Sequence, residues 1–333
     1  MTTALPRGAD APVPHVSQVS AVESPVEPGR PGPAAAAPVG PWRLRLRRFR
    51  RHRAGMAALV LLLLIALFCL AAGPVQWWLG VDTTTTDLLA RFEPPSAAHP
   101  LGTDEAGRDV LVRLMVGGQI SLLVGLIATG FGAVLGVAVG VAAGYAGGRT
   151  DALLMRFTDG MIALPLLPLL IVLGALDLTK LGFSAEFARS GAAGFWRVVV
   201  IISLVDWTAI ARLVRAATLS VREADYVRAA RVSGARAPYV VFAHVLPNAA
   251  SPLIVAVTLT VGRVILLESV LSFLGFGIVP PTPSWGNMLN NAQELVTTAP
   301  MLAVLPGLMI FLSVLAVNLL GDGLRHAFDP RGE

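Results

Sequence analysis

The sequence predicts an all-α integral membrane protein with six membrane-spanning helices, and two observations carry that prediction. Of its 333 residues, 55% are hydrophobic and only 14% are charged, with a mean hydropathy of +0.69. Soluble globular proteins carry about 25% charged residues, so composition argues strongly against a soluble enzyme. The second observation is a series of apolar stretches, each close to the roughly 20 residues that a helix needs to cross the hydrocarbon layer.

Six spans follow from these stretches. The second comes from an uncharged run over 114–148, which is longer than one span requires, so we expect a short amphipathic lead-in before the helix. Pro165 and Pro168 interrupt the third span, and Asp206 lies inside the fourth. The predicted spans are about 55–79, 119–143, 160–176, 194–214, 248–275 and 300–320.

The distribution of basic residues predicts that both termini are cytoplasmic. With that orientation the cytoplasmic segments hold 19 Lys and Arg residues and the external ones hold 6. Such an asymmetry follows the positive-inside rule and indicates a multi-pass protein of the cytoplasmic (plasma) membrane. Seven arginines lie within 43–53, at the foot of the first span, where anionic lipid headgroups are the expected partners.

The chain divides into four expected parts. Residues 1–40 hold eight prolines and no aromatic residue, a composition typical of disorder, so 1–45 is predicted to be a disordered cytoplasmic tail. Residues 46–113 give the first helix and an external loop. The core follows over 114–322, and 323–333 is a cytoplasmic tail.

Several functions are excluded or poorly supported. The net charge of +5 is concentrated beside the membrane, which argues against nucleic acid as a partner. Lys180 is the only lysine and no P-loop surrounds it, so the chain has no Walker A site for ATP. The single Cys69 excludes an intrachain disulfide and a Cys-based metal cluster. No catalytic constellation is found on the external loops, and we expect no cofactor, metal or catalytic residue in this chain.

The longest cytoplasmic loop carries the most information. It reads EADYVRAARVSGARAPYVVFAHVLPN over 223–248. Gly234 is expected to break a helix, and Pro238 suits the first turn of a second one, which predicts a helix, a turn and a helix. The loop either rests on lipid headgroups or offers its small residues to the surface of another protein.

These residues resemble the EAA motif of ATP-binding-cassette (ABC) importer permeases. A pair of alanines, a glycine and a Leu-Pro pair match it, although Arg228 and His244 depart from its commonest form in a way similar to the peptide-importer branch. LGTDEAGRDVLVRL (101–114) and LLESVLSFLGFGIVPPTPSWGNML (266–289) resemble the second, C-type permease of dipeptide, oligopeptide and nickel importers. The matched positions are Ala229, Ala230, Gly234, Leu246 and Pro247.

The resemblance implies the type I ABC importer permease fold with a coupling helix at 223–240. It also implies a second homologous permease, two ATP-binding subunits that hold ATP and magnesium, and an extracytoplasmic solute-binding protein. The solute would be a peptide or a related small molecule such as a nickel chelate. A gradient-driven secondary transporter is the alternative, although no convincing internal repeat supports it. The residues expected to couple to the ATPase are Tyr226, Ala229, Ala230, Arg231, Gly234, Leu246 and Pro247.

Polar residues within the spans are the other candidates. Glu268, Asp206 and Asn248 are assigned to a pore or a subunit interface because intramembrane polar groups usually face a cavity or a partner; a structural hydrogen bond is the alternative for Glu268. Arg263 precedes Glu268 by five residues, about 140° around a helix, so the two should not pair. Asp159 is expected to pair locally with Arg156.

Two further patterns concern packing and docking. Gly132, Gly136, Gly140 and Gly144 form a stripe of small residues that favours close helix packing, with a partner helix in this subunit or in another. The proline-rich external loop is interpreted as a docking surface for a binding protein or as a lid, through Pro281, Pro283 and Trp285.

Overall fold

The computed structural model describes residues 41–328, and within that range it is helical with one isolated β-bridge, between Thr103 and Asp109, and no strand. The predicted disorder of 1–40 and the residues 329–333 lie outside the described residues. The α-helices in chain order are α1 (Pro41–Arg51), α2 (Arg53–Leu70), α3 (Ala72–Leu79), α4 (Val110–Ala146), α5 (Gly148–Ala163), α6 (Leu166–Gly174), α7 (Ala185–Ala188), α8 (Gly191–Arg222), α9 (Asp225–Val232), α10 (Ala237–Val240), α11 (Leu246–Phe273), α12 (Ala292–Leu295) and α13 (Met301–Phe328).

The two terminal boundaries differ from the expected ones. Helix α1 begins at Pro41, inside the segment predicted as a tail, and α13 continues to Phe328, beyond the predicted boundary at 323. Both helices carry arginines near these ends, so helical structure extends past the apolar residues that the span prediction relied on.

Over residues 41–328, four helical stretches are long and apolar enough to cross a membrane. They are Arg53–Leu70, Val110–Ala146, Ala237–Phe273 and Met301–Phe328. Helices α5 and α6 add a fifth if the two are counted as one bent span. The 32-residue α8 has the length but carries charged residues. The count of six spans and the cytoplasmic position of both termini therefore stay predictions.

Helix α4 departs from the expected boundaries. It runs unbroken for 37 residues, so the separate amphipathic lead-in is wrong. Asp109 caps its first turn, where its carboxylate accepts a hydrogen bond from the backbone N–H of Val112 at 2.8 Å. Arg113 in this turn binds Asp104 and the carbonyl of Thr83, so its charge is satisfied without ending the helix.

The interruption of the third span is confirmed. Helices α5 and α6 meet at an angle of 86°. Leu164, which precedes Pro165, adopts an extended conformation because the proline ring disfavours a helical residue before it. Pro168 lies in the first turn of α6, where the missing N–H breaks no helical hydrogen bond.

The glycine stripe of α4 packs against α8 of the same chain. A Cβ on Gly140 would lie 2.5 Å from the carbonyl oxygen of Ala211, and one on Gly136 would lie 2.7 Å from that of Trp207. No side chain fits at such distances, so glycine permits the two backbones to approach this closely. The partner helix left open by the sequence is α8.

The bundle has two distinct ends. The start of α2 meets the end of α13, where the rings of His52 and His326 stack with centroids 5.0 Å apart. Arg222, at the end of α8, donates to the carbonyl of Gly144 near the end of α4. We call this the basic end. The opposite end, which we call the loop end, carries the long connections 80–109 and 274–300.

Adding one methyl group at Gly140 tests the packing of α4 on α8. Gly140→Ala should destabilise the protein by about 1–3 kcal/mol, since the backbone of α8 must move away. Gly130→Ala, on the same helix but with nothing within 4 Å of the new Cβ, should leave stability unchanged or raise it, because alanine favours helix by about 1 kcal/mol. Thermal unfolding of the detergent-purified variants measures both. Equal melting temperatures would contradict the close packing.

Candidate coupling segment and membrane-embedded polar groups

The segment 223–248, which we call the coupling segment, has the predicted helix, turn and helix. Helix α9 ends at Val232, and the chain turns at Gly234, whose φ of +87° is a conformation that glycine adopts readily. Pro238 lies in the first turn of α10, and a π-helical turn, Val241–Val245, then leads into α11. The local structure follows from these two residues.

The inner face of the coupling segment has a small core of its own. Val227, Val240 and Val245 are fully buried and form one cluster with Val221 at the end of α8. Tyr145 from the end of α4 packs against this cluster. The segment is therefore held against two long helices by burial of apolar surface.

Arginines strengthen this attachment to α4. Arg222 donates to the carbonyl oxygens of Gly144 and Tyr145 at 3.2 and 3.4 Å, and cations are favoured at such a helix C-terminus. The guanidinium of Arg231 lies 4.8 Å from the ring centroid of Tyr145, a cation–π contact. Hydrogen bonds from Arg228 and Arg222 lower the pKa of the Glu223 carboxyl group, which keeps it ionised between them.

The outer face of the coupling segment exposes large apolar side chains among charged ones. Val232 is 90% exposed, and Tyr226, Tyr239 and Phe242 are each at least half exposed. Neighbouring apolar side chains left uncovered in this way are typical of a protein–protein contact.

The seven predicted coupling residues lie in this one segment. Tyr226, Ala229, Gly234 and Pro247 are exposed, whereas Ala230, Arg231 and Leu246 are half-buried. Asn248, assigned to a pore, lies at the start of α11, where its amide donates to the carbonyl of His244 at 2.6 Å and approaches the Tyr226 hydroxyl at 3.4 Å.

Glu268 lies at the centre of a buried hydrogen-bond network near the loop end. Its carboxyl oxygens accept hydrogen bonds from Ser121 of α4 and Ser272 of α11, at 2.8 and 2.7 Å. The two hydroxyls accept in turn from the backbone N–H groups of Trp285 and Ile278. Glu268 has no exposed surface in this structure, an arrangement that agrees with the alternative of a structural hydrogen bond, and the pore or subunit-interface assignment stays a prediction.

Trp285 anchors the external loop inside the subunit. Its side chain is fully buried, and its indole N–H donates to the carbonyl of Leu114 at 2.9 Å. The indole ring and the thiol of Cys69 both lie so close to Gly118 that no Cβ would fit there. Pro283 is also buried, whereas Pro281 is exposed, and the docking surface or lid stays a prediction.

Three ion pairs join α8 to its neighbours. Arg212 and Arg215 bind Asp159 and Asp151 of α5, each at 2.5 Å. The local pair expected between Arg156 and Asp159 is therefore wrong, because packing brings the arginine of another helix to Asp159.

The third pair lies deeper in the bundle, where Arg263 of α11 donates to the buried carboxylate of Asp206. Asp206 is among the residues predicted from the sequence for a pore or a subunit interface, whereas Arg263 is not. The charge of Arg263 in an otherwise apolar helix is the signal that could have identified it. The expected absence of an Arg263–Glu268 pair is confirmed, because each side chain has another partner.

Nothing in the described part of the chain resembles a metal site: residues 41–328 contain no group of three or more His, Cys, Asp or Glu side chains placed to hold an ion.

A known protein family matches the coupling segment and much of the bundle. The family described as "binding-protein-dependent transport system inner membrane component" matches residues 136–332, more than half of the chain, and includes the coupling segment. The chain belongs to this family. A second family, the N-terminal transmembrane domain of oligopeptide transport permease C, matches residues 40–95. The protein is thus a multi-pass permease of the inner membrane, a transport component and not an enzyme.

Several curated relatives resemble the permease over most of its length. A di/tripeptide transport system permease protein of Pseudomonas aeruginosa is 40% identical over 80% of this chain and 84% of its own. An oligopeptide transport system permease protein of Bacillus subtilis is 35% identical over 75% and 77%. A glutathione transport system permease protein of Pectobacterium atrosepticum is 40% identical over 72% and 75%.

Truncating Trp285 should loosen the loop end. Trp285→Ala removes a fully buried ring and should cost about 3–5 kcal/mol, and it should expose the adjacent thiol of Cys69 to maleimide. Trp285→Phe keeps most of the packing but loses the bond to Leu114, so an intermediate labelling rate is expected. Trp77→Ala, at an exposed tryptophan, is the matched control. Equal labelling of Cys69 in all three variants would contradict the anchoring role.

Proposed function

We propose that the permease is one membrane subunit of an ABC importer for peptides. It pairs with a second homologous permease, binds two ATPase subunits that hold ATP and magnesium, and receives solute from an extracytoplasmic binding protein. The observation that carries this proposal is the coupling segment, which combines a buried attachment to the bundle with an exposed apolar face. Family membership and the names of the relatives support the solute class.

The orientation of the bundle suits this role. The basic end, with the coupling segment and the arginines of α1, faces the cytoplasm and anionic lipid headgroups, in agreement with the positive-inside rule. The loop end faces outward, where the exposed Pro281 is placed to meet the binding protein. With α8 and the bent pair α5–α6 counted as spans, six helices cross the membrane and both termini are cytoplasmic.

The coupling segment transmits ATPase movement to the pore. Its exposed face, around Val232, Tyr239 and Phe242, docks on an ATPase subunit, and closure of the ATPase pair displaces it. Arg222 and Arg231 pass that displacement to the end of α4. Because glycines lock α4 against α8, the two helices move together, and the pore alternates between inward- and outward-facing states.

Changing Gly234 tests the coupling role. A β-branched residue at φ +87° is strained by about 1–3 kcal/mol, so Gly234→Val should displace α9 and lose most ATP-dependent uptake while the protein still inserts. Gly234→Asn should retain uptake, because asparagine tolerates this conformation. Uptake of radiolabelled trialanine into membrane vesicles, with immunoblots for insertion, measures both. Undiminished uptake by Gly234→Val would contradict the assignment.

Co-purification tests the docking face. Val232→Glu places a charge where an apolar contact is proposed and should abolish recovery of ATPase subunits with the tagged permease in mild detergent. Leu89→Glu changes an equally exposed residue at the loop end and should leave recovery unchanged. Mass spectrometry identifies the recovered chains. A wild-type permease that purified reproducibly alone would contradict the importer itself.

A further inference from the structure

Helix α11 presents an uncovered stripe along much of its length. Pro252, Leu259, Arg263, Leu266 and Phe273 are all exposed, and their spacings of seven, four, three and seven residues place them on one helical face. The opposite face of α11 is buried against α4, α8 and α13. The stripe is apolar except for its central residue, Arg263.

The half of this stripe nearest the basic end forms the wall of a groove. The groove has a volume of about 670 Å³ and lies between α1, α8, α11 and α13. Leu213 and Leu259 give it apolar walls, while Asn248, Ser251 and Arg325 supply polar groups. Arg263 lies one helical turn beyond Leu259, so the groove leads from the basic end toward this arginine.

Arg263 pairs with an acidic residue inside the bundle, and part of its side chain remains exposed. One nitrogen of its guanidinium donates to Asp206, whose side chain is only 7% exposed, whereas the arginine side chain is 48% exposed. A charge on the surface of an apolar helix is costly against lipid and normally faces a water-filled path or a partner. The groove ends at Leu259, one helical turn before Arg263, and is the opening nearest to this arginine along α11.

The chemistry of the exposed Arg263 guanidinium determines which class of ligand it favours. A guanidinium carries five N–H donors in a planar fork that matches a carboxylate, and Asp206 uses the donors on one side only. Arg325 adds positive charge near the mouth of the groove. An anionic group, and a carboxylate above all, is therefore the favoured ligand.

We propose that this groove is the permease's share of the solute path and that Arg263, positioned by Asp206, contacts the carboxylate of the passing peptide. The proposal rests on the proposed function and assigns a specificity-determining residue to it. Because Asp206 partly neutralises the arginine, the contact attracts the carboxylate but releases it, as transport requires of any site along a path.

Accessibility to a charged thiol reagent tests the path. Leu259→Cys and Arg263→Cys, in the assembled complex in inside-out vesicles, should react with a membrane-impermeant methanethiosulfonate at least about tenfold faster than Leu64→Cys, an exposed position on α2 that we assign to lipid. The native Cys69 is buried and supplies the background. Reaction with a membrane-permeant maleimide alone would place the stripe against lipid. Reaction only in the isolated permease would place it in a subunit interface. Either result would overturn the proposal.

Charge substitutions separate a solute contact from a structural ion pair. Arg263→Gln should lower trialanine uptake by about tenfold, since a charged hydrogen bond is lost, while ATP hydrolysis stimulated by the binding protein persists. Arg263→Lys should retain a substantial part of the uptake. The double variant Asp206→Asn with Arg263→Gln removes both charges and should remain as defective as Arg263→Gln alone.

Recovery of uptake in the double variant would show that Arg263 only neutralises Asp206, and would overturn the carboxylate contact. Undiminished uptake by Arg263→Gln would do the same. Absence of trialanine uptake by the wild-type complex would instead count against the proposed peptide importer. The thiol labelling would still show whether the groove is a water-accessible path.

Discussion

Close contact between α4 and α8 is the constraint on which the rest of the structure depends. Glycines every four residues in the second half of α4 let its backbone approach the carbonyls of α8, so that the two longest helices pack closely there. In lipid there is little hydrophobic force between helices, and such packing supplies the attraction instead. The coupling segment attaches to one end of this unit, and Ser121 of α4 supports the external loop at the other.

The two ends of the bundle differ in what their polar side chains bind. At the basic end, Arg222 donates to the carbonyl oxygens of Gly144 and Tyr145 in the last turn of α4 and helps to hold a short segment with exposed apolar side chains. At the loop end, Glu268 accepts hydrogen bonds from Ser121 and Ser272, whose hydroxyls accept in turn from backbone N–H groups of a loop that enters the bundle. A loop end bound into the bundle and an exposed coupling face agree with the proposed transmission of movement from the cytoplasmic side.

The sequence predicted features that depend on local residues and missed those that depend on distant ones. Gly234 and Pro165 each determine the backbone within a few residues, so the turn and the break in the third span were predictable. Arg212, which binds Asp159, lies 53 residues away along the chain, and Ser121, one of the two serines that bind Glu268, lies 147 residues away, so no local pattern could identify these two partners. Trp285 is predicted from the sequence to belong to a docking surface or a lid, whereas the space beside Gly118 that receives its ring appears only in three dimensions.

The π-helical turn near the end of the coupling segment sets the rotation, about the helix axis, of the preceding part of that segment relative to α11. A helix turns by about 100° per residue, and a π-helical turn holds one residue more than an α-helical turn, so Val241–Val245 determines which way the coupling face points relative to the groove on α11. Side chains in this turn can change without altering that angle, whereas a single insertion or deletion would rotate one surface away from the other. The length of this connection therefore matters more for the relative orientation of the two surfaces than its composition does.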